Sequence, residues 1–151
     1  MPPFEDFTSP PSRETRPRLD KSGAVRVQLA FGEFTFFRHH LEAHVAGGIE
    51  VDHPEVDALI TVINAQFNGR PYGYLCVRSQ AYAVNPMASR RLVEETSVRA
   101  GAFVLTSIRS KLVMEAEKLF YRLPVESFDT LEAAEAFLAG QLSDVLENAR
   151  N

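Results

Sequence analysis

The chain has 151 residues, 45% of them hydrophobic, with a formal net charge of −4 and one cysteine. That length suits a single domain able to bury roughly two thirds of the surface its unfolded form exposes, without a disulfide or a metal to hold it. The lone Cys76, in the apolar run YGYLCV, excludes a disulfide framework; the acidic balance excludes a general nucleic-acid binder; and no stretch approaches the roughly 20 apolar residues of a membrane span.

Residues 1 to 22 hold most of the nine prolines, among Ser, Thr and charged residues, and lack the apolar core of a signal peptide. They carry too little apolar surface to offset ordering, so a disordered tail is expected, followed by one domain over 23–151 in a cytoplasmic protein. In VRVQLAF, Val25, Val27, Leu29 and Phe31 alternate with Arg26, Gln28 and Ala30, the period of a strand with one wet face. EFTFFRHHLEAHVAGG continues that pattern with a turn near Arg38 to His40, after which Leu41, Ala43 and Val45 oppose Glu42 and His44. An antiparallel hairpin is predicted there, closed by Gly47 and Gly48.

The period then becomes helical. Val56, Leu59, Ile60, Ile63 and Phe67 form one stripe, opened by a capping box of Asp52 and Glu55 with Pro54 in the first turn, and ended by Gly69. RPYGYLCV is the next strand. Asn85 and Pro86 start a short charged helix to about residue 97, and the unbroken apolar run AGAFVLTSI predicts a strand buried on both faces. SKLVMEAEKLFYR follows as a helix with Leu112, Val113, Ala116, Leu119 and Phe120 on one side. The short strand LPVESF leads to a last helix capped by Asp129 and striped by Ala134, Phe137, Leu138, Leu142 and Val145. A hairpin followed by this αβ alternation implies an α/β fold: a mixed sheet whose later strands are parallel and joined by right-handed crossovers.

Histidines 39, 40, 44 and 53 cluster in sequence. His40 and His44 could share a face of one strand, but a third ligand and second-shell partners are not evident, and polar turn and surface roles account for the four. No metal and no cofactor is predicted. Neither phosphate-loop pattern occurs, nor a GxSxG elbow, and the carboxylates fall in caps and on wet helix faces. The constellation of interest comes from topology: ligands of parallel sheets sit beyond the strands' carboxyl ends, facing helix N-termini. That edge gathers Arg78, Ser79, Gln80, Tyr82 and Asn85 after one strand, and Thr106, Ser107, Arg109 and Ser110 after the next. Arg78, Ser79, Tyr82, Asn85, Ser107 and Arg109 are the candidate contacts for a small anion. The competing reading makes Asn85 and Ser110 ordinary N-caps and the arginines partners of surface carboxylates. No general base is evident among them, which points away from an enzyme.

The hairpin FGEFTFFRHHLEAHVAGG, the stretch YLCVRSQAYAVNP, the segment EAEKLFYRLPVESF and the closing DTLEAAEAFL together resemble small bacterial proteins of the SpoIIAA-like class. That class belongs to the STAS fold, shared by anti-sigma factor antagonists and the cytoplasmic domains of sulfate transporters, and the likeness spans about residues 25 to 140. It implies a mixed sheet with about four helices mainly on one face, and a non-catalytic regulatory or protein-interaction role. In anti-sigma antagonists a serine beside an aspartate, at the start of the helix after a central strand, is phosphorylated to switch partner binding. The matching place here is Asn85-Pro86, which has no hydroxyl, and neither Ser79 nor Ser89 matches the motif position. The alternative function is binding of a small anionic or lipid-like ligand at the carboxyl edge of the sheet; the related SEC14-like lipid reading requires a large apolar cavity. Self-association, as a homodimer, is a further expectation, because Phe37 falls on the polar side of its strand.

Overall fold

The computed structural model describes residues 17–78, 83–105, 107–118 and 122–150. The alternating N-terminal segment forms three antiparallel strands, β1 (Val25–Leu29), β2 (Gly32–Phe36) and β3 (His40–Val45). The predicted hairpin is the β2–β3 pair, whose turn is closed by the Phe37 N–H donating to the His40 carbonyl at 2.8 Å. A second, tight turn at Ala30–Phe31 folds β1 onto β2 and makes the hairpin a meander. Gly32 lets β2 lie close to the end of β3: a Cβ on it would stand 2.6 Å from the His44 backbone carbonyl oxygen.

Beyond β3 the sheet is parallel, through β5 (Tyr72–Arg78), β7 (Val98–Leu105) and β8 (Val125–Phe128), in the order β1-β2-β3-β5-β7-β8. Two short strands, β4 (Glu50–Val51) and β6 (Ala83–Val84), pair in parallel as a separate ribbon. The helices are α1 (His53–Phe67), α2 (Pro86–Glu95), α3 (Ile108–Glu117), α4 (Leu131–Gln141) and α5 (Ser143–Arg150). Strand alternation divides the interior. Tyr72, Cys76, Phe103 and Leu105 point into the larger core, which takes the full predicted stripe of α1 together with Ala88 of α2 and Met114 of α3. Leu75, Ala100, Ala102 and Val104 point the other way, onto Ala134 and Leu138 of α4. Three helices thus lie on one face of the mixed sheet, and the α4–α5 pair covers the other.

Local details depart from expectation where two residues compete for one role. The third helix starts at Ile108, before the expected Ser110, because the Ser107 hydroxyl accepts the Ser110 N–H at 3.0 Å and caps it. Among its described side chains Met114 is buried; Leu112, expected in the stripe, is 68% exposed and Ile108 78%. At the last helix Thr130, not Asp129, is the N-cap, accepting the Ala133 N–H at 3.2 Å, while the Asp129 carboxylate pairs with Lys111. The helix breaks at Leu142, so the following turn buries Leu146 and leaves Val145 half-buried. Of the expected tail, residues 1–16 lie outside the described residues; Leu19 packs against the α4–α5 side, beside a Lys21–Glu135 ion pair. No helix among the described residues is long and apolar enough to cross a membrane.

Candidate functional site: an apolar cleft beside paired helix starts

The β4–β6 ribbon sets the starts of α1 and α2 side by side. The Ala83 N–H donates to the Ile49 carbonyl at 3.0 Å, and the Asn85 N–H to the Val51 carbonyl at 2.9 Å. Each following residue is a cap. Asp52 accepts the His53 N–H at 2.8 Å, and Glu55 accepts the Asp52 N–H at 2.8 Å, which completes the predicted capping box. Asn85 accepts the Met87 N–H and, through Nδ2, donates to Asp52 Oδ1, both at 2.9 Å. The His53 N–H and then the Asn85 amide hold the Asp52 carboxyl below its ordinary range. Both helix starts are thus engaged with each other.

Arg78, the last residue of β5, is only 5% exposed, and its guanidinium lies over the Phe103 ring, 5.1 Å from the centroid. It walls a cleft of about 80 Å³ between α2 and the sheet, lined chiefly by Val45, Val51, Leu92, Phe103 and Val125, with Gly101 on its floor and Ser89 among its few polar groups. The cleft exists because α2 packs sideways on α1. Arg91 pairs with Asp57 at 2.6 Å, and Asn64 donates to the Glu95 carbonyl at 3.1 Å, while Ala88 is the one buried residue of α2. Leu92 and Val93 are left half-buried above Phe103 and Val125.

The described candidates therefore occupy three places: Arg78 in the cleft, Asn85 in the cap pair, and Ser107 at the exposed start of α3, donating to Ser110 Oγ at 2.8 Å. Ser79 and Tyr82, with Gln80 and Thr106, lie outside the described residues, as does the side chain of Arg109. Sequence reasoning did not find Gly101, Leu92 or Val125; the one available signal was a glycine inside the otherwise apolar strand AGAFVL.

The histidines take separate roles. His53 Nδ1 lies 3.2 Å from Arg91 Nη1, and His44 is exposed. His40 is buried and stacked on Phe37, with ring centroids 4.5 Å apart, and its Nδ1 has no hydrogen-bond partner among the described residues. Burial, then the charge of Lys21, pushes its pKa down to about 4. No group of three or more metal-ligating side chains converges among the described residues. Phe37, the reason for expecting self-association, is half-buried against His40.

No protein-family model and no curated protein matches the chain. Among solved structures, the chain is similar to an uncharacterized protein of the DUF3478 family with a SpoIIAA-like fold from Shewanella loihica PV-4, at 9% identity and a TM-score of 0.48, over 77% of this chain and 92% of that one.

Proposed function

We propose that the protein is a non-catalytic STAS-like interaction domain whose contact surface is α2 with the adjoining chain over residues 78 to 90. The observation that carries this reading is the state of Asn85. By the resemblance it stands where anti-sigma antagonists carry their phosphoacceptor, and its side chain is taken up in capping α2 and in bridging to Asp52. A residue so engaged holds a surface in place and offers no group for chemistry. The surface itself is available: α2 buries only Ala88, and Met87 at its first turn is 55% exposed.

The test is quantitative affinity capture with the full chain and with a Met87→Asp/Arg90→Glu variant, each captured protein then being purified and titrated calorimetrically. A partner that binds the wild type and loses about tenfold or more in affinity for the variant supports the reading. Equal affinity for both, or no partner together with a monomer in light scattering, removes it. A second reading, binding of a small anionic or lipid-like ligand, is favoured by one observation: a buried arginine in the wall of an otherwise apolar cleft.

A further inference from the structure

We propose that the free edge of β1 is a self-association surface, on which a second copy of the chain pairs its own β1 antiparallel across a two-fold axis through Val27. This stands apart from the reading of α2 as the contact surface for another protein.

The phase of the hydrogen bonds decides which groups β1 offers. The Phe37 N–H donates to the His40 carbonyl and the Ala46 N–H to the Phe31 carbonyl, so Phe31, Glu33, Thr35 and Phe37 turn their backbone groups towards β3. Gly32, Phe34 and Phe36 are left to bond β1, through their partners Leu29, Val27 and Val25. The N–H and C=O groups of Arg26 and Gln28 therefore point away from the sheet. β1 is the first strand in the sheet order and pairs on the β2 side only.

The two edges of the sheet are protected unequally. At the far edge β8 has four residues, follows Pro124, and carries Glu126 in an ion pair with Lys118; Asp129, just beyond it, pairs with Lys111. Short length and charge discourage pairing there. β1 has five residues, no proline, no bulge in its register and Arg26 as its one charged side chain. Val25 is 45% exposed, and Val27 and Leu29 are half-buried, so apolar surface runs along the same edge.

Symmetry then selects the register. Pairing through the outward groups with Arg26 opposite Arg26 sets like charges together, and with Gln28 opposite Gln28 it runs Arg26 into the turn at Ala30. Arg26 opposite Gln28 uses the whole strand. Backbone bonds are then exchanged at both Arg26–Gln28 pairs, Val27 meets Val27 at the close, non-hydrogen-bonded spacing, and Val25 meets Leu29. On the other face the exposed Glu33 follows Gln28 in the cross-strand row, so each Arg26 approaches a carboxylate of the second copy. Such a pairing is isologous: it occupies both β1 edges and leaves only the β8 edges outside, so assembly stops at two copies.

The patch lies at the small end of specific interfaces, so a dissociation constant on the order of 10 μM is expected. Sedimentation velocity of the full chain, from about 1 to about 300 μM, should show a monomer–dimer equilibrium. Arg26→Pro, which removes an outward N–H and no bond to β2, should weaken it about tenfold or more; Val25→Lys, at an exposed site, repeats the test should the proline variant not fold. Under oxidised glutathione, Val27→Cys should link two copies covalently across the axis, whereas Arg26→Cys, whose copies stand diagonally and not opposite, should not. The native Cys76 is buried. The Met87→Asp/Arg90→Glu chain should dimerise as the wild type does, so this proposal and the α2 reading fail separately. A monomer throughout the range, a dimer unaffected by both edge variants, or cross-linking through Arg26→Cys in place of Val27→Cys would each overturn the inference.

Discussion

Two strand glycines that look alike in the sequence carry opposite predictions. Gly32→Ala drives a Cβ to 2.6 Å from a backbone carbonyl that has no room to retreat, so a loss of order 3 kcal/mol is expected in urea denaturation. Gly101→Ala meets only ordinary contacts and restricts the unfolded chain, so it should stabilise by about 0.5 kcal/mol. His40 yields a prediction in pH. Its ordinary pKa of 6.5 falls to about 4 in the folded protein, so between those values the unfolded chain takes up a proton that the folded one does not. Stability is therefore full above the window and falls as pH drops through it, by about 3 kcal/mol in all. Burial lowers His39 too, and its contribution has the same sign. Replacing His40 by Phe keeps an aromatic ring against Phe37 and should flatten the slope of stability against pH across that window. The histidine cluster was legible; that one member is sealed under an aromatic ring depends on how the β2–β3 turn closes, which residue spacing does not specify.

Among the elements, α1 was fully legible, because its five buried residues repeat at helical spacing and its capping box is unambiguous. The shorter helices were less so. In α3 the apolar residues are spread around the axis, and burial of Met114 turns Ile108 and Leu112 to solvent. Leu112→Lys should accordingly change stability by no more than about 0.5 kcal/mol, whereas Met114→Ala should cost about 3 kcal/mol; thermal melts separate the two. The joint at Asn85 has a sharper signature. Asn85→Ala removes a cap worth about 1 kcal/mol and, with it, the bridge to the neighbouring helix. Asn85→Ser keeps the cap but lacks the amide donor, so it should fall between wild type and the alanine variant. Asn85→Asp, by intrinsic preference an equally good cap, should be the worst of the three, since it sets a second carboxylate against Asp52. That order, read from urea midpoints, reports the bridge and not the cap.

At the scale of the molecule, the alternation of strands and helices after Val45 was enough to specify a parallel half, and its unbroken apolar strand did prove to be covered on both faces. The turn at Ala30–Phe31 was hidden because neither residue adopts the positive φ that calls for glycine or asparagine, so the alternation runs through it without punctuation. The cleft was hidden for another reason: it depends on which neighbour α2 leans against, a tertiary outcome no local pattern encodes. The hidden turn also bears on the order in which the molecule assembles. Strands β1, β2 and β3 meet through short loops, whereas each pairing beyond β3 must wait for a whole crossover to close. The meander is thus the segment able to form early and to act as a template for the rest. Gly32→Ala, placed at its tightest approach, should then act on the rate of folding more than on the rate of unfolding, displacing chiefly the refolding arm of a stopped-flow chevron.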